Sequence, residues 1–506
     1  MKTLLLAAAL LAGAAAPQDA KRPNVLLAIS DDQSWIHASA YGSAWVRTPA
    51  FDRVAKAGVL FRHAFAGSPG CSPSRAALLT GLHHWQLEHA GTHASSFSSK
   101  FAVYPDLLEK AGYAVGMTGK GWGPGDWKSG GRERNPAGPA FTKRTCEPPS
   151  KGIGKNDYAA NFADFLAARP AGKPFCFWYG ASEPHRVYER GSGLKAGKKL
   201  EDAEVPPFLP DLPEVRSDLL DYAIEIEWFD FHLGRMLEAL EKAGELENTL
   251  VIVTADNGMA FPRAKANLYE HGIRVPLAVA WPPRVPGGRV VDDLAGFADL
   301  APTILEAAGV APAGPLSGRS LMNVLGSDRQ GLVDPSRTKA FSGRERHSSS
   351  RPDNLGYPCR ALRTPDHLYI RNFKPALWPA GDPATLGEDG KPGRAHGAYH
   401  DIDGCPTLDL MIRERARPEI GRLLRLSVER RPAEELFDLR SDPACLVNLA
   451  ADPAHAETRA RLAAALEEEL RRTGDPRLGP DPDVWETYKR YSPIRKFPPS
   501  PERLPE

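Results

Sequence analysis

The sequence predicts an α/β fold, in which a mostly parallel central sheet lies between helical layers and is followed by a smaller C-terminal α+β unit with an antiparallel sheet. Three observations predict it. Short continuous apolar runs at residues 24–30, 114–118, 175–179, 250–254 and 277–281 have the look of strands covered on both faces. Helical patterns at 50–57, after Cys71, at 104–111, 158–168 and 218–243 alternate with them, which favours a parallel sheet. From about Thr338 the texture shifts to shorter runs, 361–363, 368–371 and 435–439, with one amphipathic helix at 454–472. The boundaries expected are a signal segment over 1–20, a main domain over 21–337, an α+β unit over 338–475 and a proline-rich surface tail over 476–506.

A chain of 506 residues has room for a large core. Its 64 basic and 63 acidic side chains leave a net charge of +1, so no global field favours nucleic acid or an anionic membrane. Met1-Lys2-Thr3 and the apolar run 4–16 have the basic start and apolar core of a secretory signal, too short to span a bilayer. The mature chain is therefore expected outside the cytoplasm, secreted or periplasmic, with no stable membrane anchor. Cys71, Cys146, Cys176, Cys359, Cys405 and Cys445 form no close CxxC pair, which argues against zinc and leaves disulfide pairing open.

The stretch Gly70-Cys71-Ser72-Pro73-Ser74-Arg75-Ala76-Ala77-Leu78-Leu79 sets a cysteine at a helix entrance, with Ser72 suited to the N-cap and Pro73 to the first helical position. Unsatisfied N–H groups and the positive end of the helix dipole favour an anion there. Arg75, one turn on, adds a planar fork of donors suited to a tetrahedral oxyanion. A buried cysteine beside an ordinary capped helix would have the same sequence.

In open α/β sheets ligands sit outside the carboxyl ends of the strands, and the polar residues fall there. Asp31-Asp32 follow the first run, Lys120 the second, His185 the third and Asp256-Asn257 the fourth. Paired carboxylates repel unless a positive charge lies between them, and an all-oxygen set suits Ca²⁺ or Mg²⁺. Taken singly, Asp-Asp can cap a turn and Asp-Asn-Gly is a common tight turn.

Together, Cys71-Ser72-Pro73-Ser74-Arg75, Asp31-Asp32 and Thr254-Ala255-Asp256-Asn257-Gly258 resemble the type I, formylglycine-dependent sulfatase family of the alkaline phosphatase superfamily. The resemblance runs from Asn24 to the Glu435-Leu436-Phe437-Asp438-Leu439 segment. Glu183-Pro184-His185-Arg186, Asn257 to Pro262 and Asn267-Leu268-Tyr269 resemble the branch that contains N-sulfoglucosamine sulfohydrolase, the heparan N-sulfatase. The resemblance implies an alkaline phosphatase-like fold. It also implies that a formylglycine-generating or anaerobic sulfatase-maturating enzyme converts Cys71 to Cα-formylglycine. Asp31, Asp32, Asp256, Asn257 and Cys71 would hold a divalent cation, Ca²⁺ by expectation and Mg²⁺ as the alternative. Arg75, Lys120 and Lys265 would neutralise the sulfate, and His185 would protonate the leaving nitrogen or oxygen.

One position departs from the family. A histidine that helps deprotonate the formylglycine hydrate usually stands two residues after the lysine, and here that place holds Trp122. His37, His89 and His93 are candidate substitutes, while Trp122 reads either as a sugar-stacking wall or as packed core. Arg344, Glu345, His347 and Asp353-Asn354 form a polar cluster that could select the sugar. The expected function is a sulfatase removing N- or O-sulfate from sulfated amino sugars or polysaccharides. The alternatives are a phosphodiesterase or phosphonate hydrolase of the same superfamily and a non-catalytic sulfated-glycan-binding relative.

Overall fold

The computed structural model describes residues 22–387 and 391–492. The expected signal segment and the last part of the tail lie outside them. Strands β1 (Asn24–Ser30), β2 (Val59–Phe65), β3 (Ala114–Gly119), β4 (Phe175–Gly180), β5 (Thr249–Ala255), β6 (Arg274–Val275), β7 (Leu277–Ala280) and β8 (Arg289–Gly296) make one sheet. Its order is β3-β4-β1-β5-β7-β2-β6, with β8 paired to β2. The first four are parallel, so Leu26 of β1 lies between Phe177 of β4 and Val251 of β5. β7 runs antiparallel to β5 and β2.

Side chains alternate across a strand, and β1 uses this to feed two cores. Val25, Leu27 and Ile29 pack with Leu78 and Leu79 of the helix Cys71–Thr80. Leu26 and Ala28 face the other way, toward Phe162 and Phe165 of Tyr158–Ala168 and Leu233 and Leu237 of Pro213–Lys242. Every strand read from the sequence is present. β2 and β8 escaped the reading because Arg62-His63 and Asp292-Asp293 interrupt their apolar runs.

The C-terminal unit has a four-stranded antiparallel sheet, β12-β11-β10-β9, from β9 (Ala340–Arg344), β10 (Cys359–Arg363), β11 (His367–Asn372) and β12 (Glu434–Asp438). The amphipathic helix Ala456–Arg472 lays Leu462, Leu466 and Leu470 on Leu362, Tyr369 and Leu436. Two further helices, Pro406–Arg413 and Pro418–Val428, correct the expectation of one. Their dense arginine and glutamate hide the apolar stripe Leu408, Met411, Ile420 and Leu424, which packs against Leu219 and Ala223 of Pro213–Lys242.

The tail beyond Gly474 also differs from a surface wrap. It makes two short 3₁₀ turns, Pro476–Leu478 and Val484–Thr487, and buries Arg477 and Trp485. It then returns to the main sheet's side of the molecule, where the Tyr491 N–H donates to the Ala94 carbonyl at 2.7 Å. All six cysteines are free thiols. Among the described residues no helix is long and apolar enough to cross a membrane.

Candidate active site

The parallel strands β3, β4, β1 and β5 end on one edge, and the loops leaving that edge bring the charged residues together. Asp31 and Asp32 leave β1, and Asp256 and Asn257 leave β5; all four are buried to 1 % exposure or less. The Asp32 N–H donates to Asp256 Oδ1 at 3.0 Å, and Asn257 Nδ2 donates to Asp32 Oδ1 at 2.7 Å. Asp32 holds a left-handed φ of 72°, an uncommon backbone state for a non-glycine residue that concentrates at functional sites.

Cys71 is the first residue of its helix. Gly70 takes the N-cap position, with no side-chain cap, and corrects the expectation for Ser72. Ser72 Oγ instead accepts from the Ala94 N–H at 3.1 Å, and Pro73 is the third helical residue, two positions further in than expected. The Cys71 Sγ donates to Asp31 Oδ1 at 3.4 Å. Burial first, and then the Asp31 charge, push this thiol well above its ordinary range, so the unconverted side chain stays protonated.

Asp31, Asp32, Asp256 and Cys71 each offer a ligand atom within 4.8 Å of the others. Burial, and next the Asp31 charge, push Asp256 up to about 7. Asn257 Oδ1 is enclosed without a hydrogen-bond partner. Converging oxygens with one orphaned acceptor fit a hard divalent cation.

The positive groups divide into two kinds. Lys120, just past β3, pairs with Asp31 Oδ2, and Lys265 bridges Asp32 Oδ2 at 2.6 Å and Asp403 Oδ2 at 2.9 Å. Both lysines line a pocket of about 550 Å³. Arg75 is fully buried: its Nε donates to Asp256 Oδ2 at 2.8 Å and its Nη1 to the carbonyls of Lys120 and Gly121 at 2.7 and 3.1 Å, while its Nη2, 3.9 Å from Asp31 Oδ1, is enclosed without a hydrogen-bond partner and is the donor left for the expected sulfate contact. It fixes the carboxylate and the lysine loop from behind.

His185 stands on the pocket's rim. Its Nδ1 lies 2.6 Å from the Arg186 carbonyl, which fixes the proton on Nδ1 and turns Nε2 toward Asp32 Oδ2 at 3.9 Å. Of the three candidate histidines, only His93 reaches the pocket. His37 is buried against Tyr222, and His89 stacks on Tyr488. His93 Nδ1 is enclosed without a partner, and its ring lies 4.5 Å from that of His347. Both rings flank Gly70, where a side chain would meet His347 Nδ1 at 2.9 Å and His93 Cδ2 at 3.8 Å. Burial and then each other's charge hold His93 well below its ordinary range, and burial does the same for His347, so both are neutral imidazoles.

Of the expected sugar contacts, all but His347 lie elsewhere. Trp122 is 3 % exposed, packs against Phe97 and donates from Nε1 to the Ser72 carbonyl at 3.0 Å, so it is core and not a sugar wall. Arg344 and Glu345 are buried in the C-terminal unit, Arg344 on Asp401 and Glu345 on Arg360 and Arg477. Their charges are consumed by these partners and face no pocket. Asp353-Asn354 form a short turn, with Asn354 Oδ1 accepting from Ser349 Oγ at 2.9 Å. His347 alone of that cluster lines the cavity. Sequence reasoning missed Asp403, Glu225 and the tail residues Arg490 and Ser492, which also line it. The closely spaced acids Asp401 and Asp403 were the one signal available for the first.

A family model described as Sulfatase matches residues 23–310. The chain is 28 % identical over 476 residues to the N-sulphoglucosamine sulphohydrolase of Homo sapiens, covering 87 % of this chain and 88 % of that protein. It is 25 % identical over 484 residues to an ulvan-active sulfatase of Formosa agariphila, covering 90 % and 76 %. The solved structure of a protein in complex with its substrate D-glucosamine-2-N,6-O-disulfate superposes with a TM-score of 0.65 at 20 % identity, over 92 % of this chain and all of that one, and shares the fold. The strand-end carboxylates, the Cys71 helix and this match over more than half of the chain lead to one conclusion: the chain belongs to the sulfatase family, as a hydrolase of sulfuric esters or sulfamates.

Proposed function

We propose that this protein removes N- or O-linked sulfate from the end of a sulfated amino sugar or a related polysaccharide, using Cys71 after its conversion to formylglycine. The observation that carries this is the convergence of Cys71, at a helix start, with Asp31, Asp32 and Asp256, beside a sugar-sized pocket lined by Asp31, Lys120, Lys265 and the half-buried His185. The human and Formosa relatives, named for a sulfated amino sugar and a sulfated polysaccharide, support the substrate class.

A Ca²⁺ or Mg²⁺ ion held by Asp31, Asp32, Asp256, Asn257 and converted Cys71 would supply positive charge beside the nucleophile and a sulfate oxygen. Formylglycine, as its hydrate, supplies one hydroxyl to take the sulfuryl group and a second whose deprotonation expels sulfate. Lys120 and Lys265 balance the sulfate charge at fixed short range in a water-poor site. His185 protonates the departing nitrogen or oxygen through Nε2. His93, a neutral imidazole beside Gly70, receives the proton of the second hydroxyl and takes the role missing at Trp122. The basic start and apolar run of the N-terminal segment support export to the periplasm or medium.

Coexpression with a formylglycine-generating enzyme, followed by the mass of the Cys71 peptide, tests the modification. The same sample should release sulfate from N- or O-sulfated glucosamine and not cleave a phosphodiester, and bound metal should read as one divalent ion per chain. An unmodified Cys71 with no turnover, or turnover that survives Cys71→Ala, would overturn the reading. His93→Ala should lower the rate of sulfate release more than binding, raising no KM.

A further inference from the structure

Beyond His185 the pocket continues to a wall that the sulfate chemistry leaves unused, formed by Gly152, Gly154, Glu183 and Glu225. Glu225 projects from the helix Pro213–Lys242 and is only 2 % exposed. Its Oε1 is enclosed without a hydrogen-bond partner. An unpaired buried acceptor costs about 1–3 kcal/mol, so a protein without use for it would carry an apolar residue there.

The neighbours do not supply the missing donor. Glu183 is occupied on its protein side, with Oε2 accepting from Tyr158 Oη at 2.7 Å and Oε1 from the Gly154 N–H at 3.2 Å. Arg186, the adjacent cation, is spent on both oxygens of Asp218 at 2.8 and 2.9 Å and on the Ala260 carbonyl at 2.7 Å. Burial first, then the Glu183 charge, push Glu225 up to about 9. Glycine backbone packs closely on this wall: a side chain at Gly152 would come within 2.7 Å of the Val187 carbonyl oxygen and 2.9 Å of Glu189 N and Glu225 Oε1, and one at Gly154 within 3.7 Å of Glu183 Oε1.

We propose that Glu225, with Glu183 beside it, is a subsite for a hydrogen-bond-donating substituent of the bound sugar, an ammonium or a hydroxyl, remote from the sulfate being removed. This rests on reading the pocket as a sugar site. An enclosed acceptor with no protein donor is completed only by a donor on the ligand, and a sugar lacking it leaves Glu225 unpaired, a discrimination of about 10- to 100-fold. The subsite therefore selects by what the sugar donates, and the sulfate end by charge.

The test compares wild type, Glu225→Gln and Glu225→Leu for binding of glucosamine, glucose and N-acetylglucosamine by ligand-observed NMR titration. If the donor is an ammonium, wild type binds glucosamine about tenfold tighter than N-acetylglucosamine, and both variants lose that preference. If it is a hydroxyl, Glu225→Gln keeps glucose binding through its amide oxygen and Glu225→Leu weakens it about tenfold. Binding of none of the three sugars by wild type, or equal binding of each by wild type and both variants, overturns the subsite. If Glu225→Leu does not fold, Glu225→Ala, which also removes the acceptor, takes its place beside the nearly isosteric Glu225→Gln. Sulfate release from N- or O-sulfated glucosamine is read in parallel. Release without a Glu225 effect on binding overturns the subsite alone, whereas Glu225-dependent binding without release overturns the sulfatase reading and keeps the subsite.

Discussion

Two buried ionic clusters of similar composition lie beside the pocket, and they differ in how completely their charges are matched. At the ends of β1 and β5, Asp31, Asp32 and Asp256 converge on one another and on Cys71: although burial opposes it, Lys120 and the cations around it hold Asp31 well below the ordinary carboxylate range, while burial and the Asp31 charge push Asp256 up. In the C-terminal unit, guanidinium groups separate the carboxylates. Asp401 accepts from Arg344, from Arg351 at 2.9 Å and from Ser348 Oγ at 2.7 Å; Glu345 is shared by the guanidinium groups of Arg360 and Arg477, and Asp475 accepts from the Arg360 guanidinium and the Arg477 backbone N–H. Although burial opposes it, Arg351 and Arg344 hold Asp401 well below the ordinary carboxylate range. Burial is the same in both. What separates a site from a girder is whether the charges are already matched within the protein.

The comparison is broken most sharply at the unmatched cluster. Cys71→Ala should abolish sulfate release while changing the melting temperature little, since it removes one thiol and no paired charge; an assay of released sulfate with a thermal melt checks this. Lys265→Ala should lower kcat/KM by about 10²–10³-fold, the scale for losing one preorganised charge at a reacting centre, as steady-state kinetics would show.

The matched cluster should respond in the other currency. Arg344→Ala leaves Asp401 buried beside a single guanidinium and should destabilise the fold by about 3–5 kcal/mol, read by denaturant unfolding, with unchanged preference among sulfated sugars. Asp401→Asn sharpens the same point through pH. A carboxyl with a depressed folded value contributes stability above its unfolded value of about 3.9, and loses it as pH falls through the depressed value. The gap in melting temperature between wild type and Asp401→Asn should therefore be widest near neutrality and shrink below about pH 4. Trp122→Phe is the smallest change: it removes the Nε1 hydrogen bond to Ser72 and should cost about 1 kcal/mol, with kcat altered only slightly.

Much of the catalytic edge was legible because its residues follow strands whose apolar runs are uninterrupted. Asp31-Asp32, Lys120 and Asp256-Asn257 each sit within two residues of a strand end, and parallel strands must end together. The C-terminal cluster misled for the same physical reason that it is stable. Arg344 and Glu345 have the residue types of a sugar-binding loop, and nothing in their local sequence announces Asp401, Arg360 and Arg477, which arrive from distant segments and neutralise them. Helices Pro406–Arg413 and Pro418–Val428 were obscured by their charge, and β2 and β8 by polar interruptions.

The sequence by itself determined the parallel strands, the cysteine at a helix start and the oxygen ligands, because each is a local pattern of apolar period or adjacent side chains. Tertiary structure alone decided which charges stay available. It sent Arg75 behind Asp256, packed Trp122 into the core, carried His93 and His347 to Gly70, and left Glu225 facing a pocket without a donor. Pairing and desolvation depend on groups far apart in the chain, and only the fold brings them within reach of one another.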